Sequence, residues 1–195
     1  MNYCEYGNPQ GRLVIYFHGV PGAAEEASLF DEYAKKLNLH IISFNRFSLE
    51  DTFINNGYYQ FLADKIQNHI LAAKDLGVTH TQVDMVGFSM GCHVALRVSQ
   101  CLGEMVSSLH LVSVAAPLDG GDFLPGMAGK MVFDLARNRP KIFSVLSHWQ
   151  SMLSRLAPKA LFSMLFSSAQ GQDKALSDSP EFQSWLTPQL SESFQ

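Results

Sequence analysis

The stretch DMVGFSMGCHVAL, Asp84 to Leu96, sets Ser89 between Gly87 and Gly91, two residues to either side. An apolar run precedes the serine and a helix-like pattern follows it. Such a turn holds the serine backbone strained, so that its Oγ points up from a sheet. Side chains at the −2 and +2 positions would collide with the helix or the neighbouring strand, and glycine removes both collisions. The chemistry this serves is nucleophilic attack by Ser89 on an acyl carbon. The amide of Met90, at the helix N-terminus, is placed to meet the oxyanion that develops.

A second piece lies at the end of the first apolar run, where Phe17 leads into HGVPG, His18 to Gly22. A donor loop at a strand's carboxyl end is where the other half of an oxyanion hole belongs. The Val20 amide is the second expected donor, with His18 and Gly19 shaping the loop.

Positioning these pieces requires alternating strands and helices. Leu13–Phe17 (LVIYF) reads as a strand buried on both faces of a parallel sheet. A helix over about Ala24–Leu37 is expected to pack Ala27, Phe30, Tyr33, Ala34 and Leu37 on one face. Further strands follow at His40–Phe44, Gln82–Val86 and Ser107–Ala116, with helices at about Tyr58–Leu76 and Met90–Leu102. Gly77 and Gly103 close those helices. This alternation predicts an α/β fold with a mostly parallel sheet flanked by helices.

After Pro117 the character changes to helices rich in Met, Phe and Leu, at about Met127–Arg137, Lys141–Leu156, Lys159–Ala169 and Glu181–Leu186. The tail TPQLSESFQ reads as frayed. Two regions are therefore expected, a core over 1–117 and a helical cap over 118–195.

Bulk properties narrow the function classes. The 195 residues are 47% hydrophobic and 16% charged, which suits a globular chain, and the net charge is −4. With no basic cluster, a nucleic-acid partner is not expected. The most apolar late segment, ALFSMLF, is far too short to span a bilayer. Three cysteines without ligand-like spacing, and no signal-like N-terminus, point to free thiols in the cytoplasm. No metal or organic cofactor is called for, because acyl transfer through serine needs neither.

Together, YGNPQGRLVIYFHGVPG and VDMVGFSMG resemble the α/β-hydrolase superfamily, in particular its proline iminopeptidase-like and esterase-like branch. The resemblance runs from about Tyr6 to Pro117, and the later helices resemble the cap this family inserts. It implies Ser89 as nucleophile, with Val20 and Met90 as oxyanion donors. It also implies acyl transfer on a small ester, thioester or amide, and the apolar cap suggests an apolar group on that substrate. One departure is SFNRFSLED, where relatives carry a glycine-rich loop after an Asp-Arg pair.

The family's triad runs Ser, then Asp or Glu, then His, the last two beyond the cap. No apolar run after Pro117 supplies the strands that would carry them, so the last strands of the fold are expected to be missing. Among the histidines only His148, on a cap helix, could swing over Ser89. Asp119 and Asp122 follow the fourth recognised strand and are the candidate acids, although PLDGGD also makes an ordinary turn. Three readings stand: a serine hydrolase represented by an incomplete chain, a catalytically silent binding protein with the same fold, and a short hydrolase using His148. The fourth strand would also form a sheet edge. Cap helices, a second copy of the chain or a further segment must cover that edge.

Overall fold

A computed structural model describes residues 3–20, 22–46, 57–75, 82–117, 121–127 and 129–193. The chain divides into two compact units, Met1–Ala115 and Ala116–Gln195. Among the described residues no helix is long and apolar enough to cross a membrane.

In the first unit the strands are β1 (Tyr3–Gly7), β2 (Arg12–Phe17), β3 (Leu39–Phe44), β4 (Val83–Phe88) and β5 (Val106–Val112). Their order is β1-β3-β2-β4-β5. All neighbours run parallel except β1, which pairs antiparallel with β3. The continuous apolar character of β2 follows from its place in the middle. On one side Leu13, Ile15 and Phe17 pack with Met85 and with Leu62, Ile66, Val94 and Val98. Those helical residues come from α2 (Tyr58–Asp75) and α3 (Gly91–Leu102). On the other side Val14 and Tyr16 meet Ile41, Ala27 and Ala34. Burying one such large apolar side chain stabilises the fold by roughly 2 kcal/mol.

Here the structure departs from the sequence reading in three places. The segment after the HGVPG loop opens as a 3-10 helix (Ala24–Phe30) and only then becomes α1 (Asp31–Lys36). Three residues per turn in place of 3.6 shifts the phase of the pattern. Ala24, Ala27 and Ala34 are buried, whereas Phe30, Tyr33 and Leu37 are exposed. The fourth expected strand stops at Val112, because Ser113 turns to a φ of 51°. Finally, β1 forms within the N-terminal stretch, where the sequence pattern marks no element.

In the second unit the helices are α4 (Lys130–Asn138), α5 (Pro140–Leu156), α6 (Pro158–Leu165), α7 (Gly171–Ser177) and α8 (Pro180–Ser193). Pro140, Pro158 and Pro180 each open a helix, where the missing N–H costs nothing. Of the tail expected to fray, residues 187–193 form the second half of α8, and residues 194–195 lie outside the described residues. Leu190 is buried there with Leu161 and Phe162, and that packing holds the segment helical.

Candidate active site

The site grows from the end of β4. Its ladder continues one residue past Phe88, since the Ser89 amide donates to the Val112 carbonyl at 2.9 Å. Ser89 then takes a φ of 51°, in the left-handed region that costs a non-glycine residue about 1–2 kcal/mol. Met90 returns to right-handed helical geometry and α3 begins at Gly91. One residue out of the ladder reverses the chain sharply, and Ser89 is that residue.

The flanking glycines are forced by backbone contact. A β-carbon at Gly87 would stand 2.7 Å from Cys92 Cα, and one at Gly91 would stand 2.1 Å from the Phe17 carbonyl oxygen. Cys92 is buried, and its thiol donates toward the Gly87 and Val112 carbonyls, tying α3 to β4 and β5 beneath the turn. The collisions inferred from sequence are therefore with α3 on one side and with the end of β2 on the other.

The loop after β2 comes directly against this turn. A β-carbon on Gly19 would lie 3.0 Å from the Phe88 ring and 3.3 Å from Ser89 Cβ. His18 is fully buried, and its Nδ1–H donates to the Gly19 carbonyl at 2.9 Å. Burial, helped by the nearby Arg46 charge, lowers the pKa of His18 to about 4, so the ring is neutral. Arg46, two residues past the end of β3, donates through Nη2 to the carbonyls of both His18 and Gly19. The Glu26 carboxylate accepts from the Tyr16 hydroxyl; burial raises its pKa, and the Gly19 backbone beside it helps to lower it. Among the described residues, no hydrogen bond engages the amides of Val20 or Met90. Sequence reasoning missed Arg46, Glu26 and Tyr16; the available signal was an arginine two residues after a largely apolar strand.

A serine hydroxyl on such a turn is the residue type that addition to an acyl carbon requires, and it would need a base. No hydrogen bond engages the Ser89 hydroxyl among the described residues. Within the first unit, His93 Nε2 is bonded to the Ala115 carbonyl at 2.8 Å, His40 to Glu5 at 2.8 Å, and His110 to Ser108 at 3.0 Å. His69 packs between the rings of Tyr3 and Phe44. His80 lies outside the described residues.

No protein-family model matches the sequence, and no curated protein matches it. Solved structures do match. An esterase from Exiguobacterium antarcticum (EaEST) superposes with a TM-score of 0.55 at 20% identity, covering 99% of this chain and 66% of its own. A lipase-esterase related protein from Clostridium acetobutylicum gives 0.56 at 16% identity, covering 98% and 68%. MenH from S. aureus gives 0.52 at 14% identity, covering 100% and 68%. The chain has the α/β-hydrolase fold.

Within this α/β-hydrolase fold, Ser89 and the His18–Gly19–Val20 loop fall together at the carboxyl ends of the adjacent strands β4 and β2. The other candidates lie elsewhere in the chain. His148 is an exposed residue of α5, in the second unit, and Asp122 is exposed in the segment before α4. Asp119 lies outside the described residues. The chain spans about two thirds of the length of the solved α/β-hydrolase-fold structures it matches.

Proposed function

We infer that this chain belongs to a serine hydrolase that transfers the acyl group of a small ester, thioester or amide through Ser89. One observation carries the reading: Ser89 accepts a strained φ of 51° at a strand-to-helix turn against which Gly19 is packed. Strain of this kind persists only where the surroundings enforce it, and it concentrates at functional sites. In the proposed reaction Ser89 Oγ adds to the carbonyl carbon while a base takes its proton. The carbonyl oxygen becomes an oxyanion between the Val20 and Met90 amides. Collapse expels the alcohol, thiol or amine with the proton returned by the base, and water then releases the acid by the same route.

The described histidines of the first unit are bonded or packed elsewhere, so the base is assigned outside them. Within this chain His148 is the candidate, with Asp119 or Asp122 as its acid. An apolar acyl or ring group is the proposed substrate feature, from the Met-, Phe- and Leu-rich helices of the second unit.

Turnover of p-nitrophenyl butyrate tests the reading. Ser89→Ala is expected to remove at least 99% of the activity, and unchanged hydrolysis in that variant would refute it. A second reading, a binding protein that keeps the turn as architecture, is favoured by the unengaged Ser89 hydroxyl. It predicts that the folded wild-type chain turns over no ester. His148→Ala separates the sources of the base, because activity that survives the change assigns the base to another group.

A further inference from the structure

The strongest unexplained feature beside Ser89 is a buried arginine that the reaction above does not use. Arg46 is 8% exposed, and it directs Nη2 at two neutral acceptors, the carbonyls of His18 and Gly19. Burying a guanidinium costs several kcal/mol unless its surroundings offset the loss of water. Tyr58 and Glu26 stand close enough to raise its pKa against the lowering effect of burial. Whatever else it meets, the Nη2 end of this charge is aimed at backbone and holds it.

Peptide planarity says what is held. The Gly19 carbonyl and the Val20 N–H belong to one peptide unit, and in a trans peptide they point in opposite directions. Fixing the carbonyl therefore fixes the direction of the amide. Two donors grip that carbonyl, Arg46 Nη2 at 3.3 Å and His18 Nδ1 at 2.9 Å. The preceding peptide is gripped as well, because Arg46 bonds the His18 carbonyl, and the Glu26 carboxylate stands against the loop at Gly22, where a β-carbon would lie 2.6 Å from its Oε2. Glu26 is itself fixed by the Tyr16 hydroxyl, from the strand that launches the loop. The Val20 amide is left without a partner among the described residues, with its direction set by neighbours.

We propose that Arg46 is a positioning residue for the oxyanion donor Val20, acting through the Gly19–Val20 peptide, with Glu26 bracing the loop from its other side. The consequence for catalysis rests on the hydrolase reading above, whereas the aim of the amide does not. An amide aimed before substrate arrives needs no reorganisation as charge develops, so losing the aim lowers the rate of acyl transfer and leaves ground-state binding alone.

The test measures kcat and KM for p-nitrophenyl butyrate together with the amide resonances of Gly19 and Val20, in the wild type, Arg46→Met, Arg46→Lys and Glu26→Gln. Arg46→Met is expected to lower kcat about 30-fold with KM within twofold, somewhat less than the loss of a whole oxyanion donor. Arg46→Lys, which can still reach one carbonyl, is expected to recover part of kcat. The Gly19 and Val20 resonances should move in each variant while those of Ile66 and Val98, in the core, stay in place. Should Arg46→Met fail to fold, Arg46→Lys and Glu26→Gln carry the same two readouts. Unchanged kcat with unmoved Gly19 and Val20 resonances in a folded variant overturns the proposal, as does a rise in KM alone. If the wild type itself turns over no ester, a hydrolase site complete within this chain is ruled out. The two amide resonances then decide the role of Arg46 by themselves.

Discussion

Gly19 faces Ser89 so closely that a β-carbon on the glycine would sit 3.3 Å from the β-carbon of the serine. The loop after β2 thus meets the turn after β4 at the Phe88 ring and the Ser89 side chain, with no free space for a side chain on Gly19. Gly19→Ala must move the Phe88 ring, 3.0 Å away, and it narrows the space above Ser89. We expect a stability loss of about 1 kcal/mol, because a ring can shift, but at least a tenfold loss of ester turnover. Denaturant melts beside kinetics check both halves.

Gly91→Ala should behave differently. Its β-carbon would meet the Phe17 and His18 carbonyl oxygens at 2.1 and 2.6 Å, and neither can move without displacing the end of β2. A loss of about 3 kcal/mol or more is expected, within the range for severe overpacking. Equilibrium unfolding near the wild-type midpoint would contradict this packing.

Ser89 carries its own test of strain. Ser89→Gly removes the β-carbon that penalises a φ of 51°, whereas Ser89→Ala keeps it. The glycine variant should be the more stable of the two by about 1 kcal/mol, after the extra chain entropy of glycine is offset. Neither should turn over ester.

His18 sets an acid limit on stability. Its folded pKa, near 4, lies below the value of 6.5 for an unperturbed histidine, because burial and Arg46 disfavour the charged ring. The unfolded chain therefore takes up a proton first as pH falls. The stabilisation is complete above about pH 6.5 and is lost progressively down to about pH 4, by about 3 kcal/mol in all. Unfolding free energies of wild type and His18→Gln over this window should converge toward pH 4. Parallel curves would mean that the ring is not held neutral.

Much of this was legible in the sequence, for identifiable reasons. Ser89, Gly87 and Gly91 were readable because a sharp strand-to-helix turn admits few residue types, and β2 because a strand covered on both faces is apolar throughout. Strand β1 was not, since YCEYG is short, lies at the sheet edge and has a mostly half-open burial pattern. The exposure of Phe30, Tyr33 and Leu37 was hidden by the switch from 3-10 to α geometry, which no apolar count reveals. Helix α8 was missed because its order comes from Leu190 meeting Leu161 and Phe162, a contact made in space. Arg46 and Glu26 were invisible as a pair because 20 residues of sequence separate them and only the fold brings both to Gly19.

The central claim is that Ser89 is an activated nucleophile, and the intact mass of the protein after incubation with a fluorophosphonate tests it most directly. The phosphonyl group should bond to Ser89 Oγ with loss of fluoride and a proton, giving one adduct that is absent from Ser89→Ala. Folded wild-type protein that gains no mass, or a Ser89→Ala variant that gains the same mass, would contradict it.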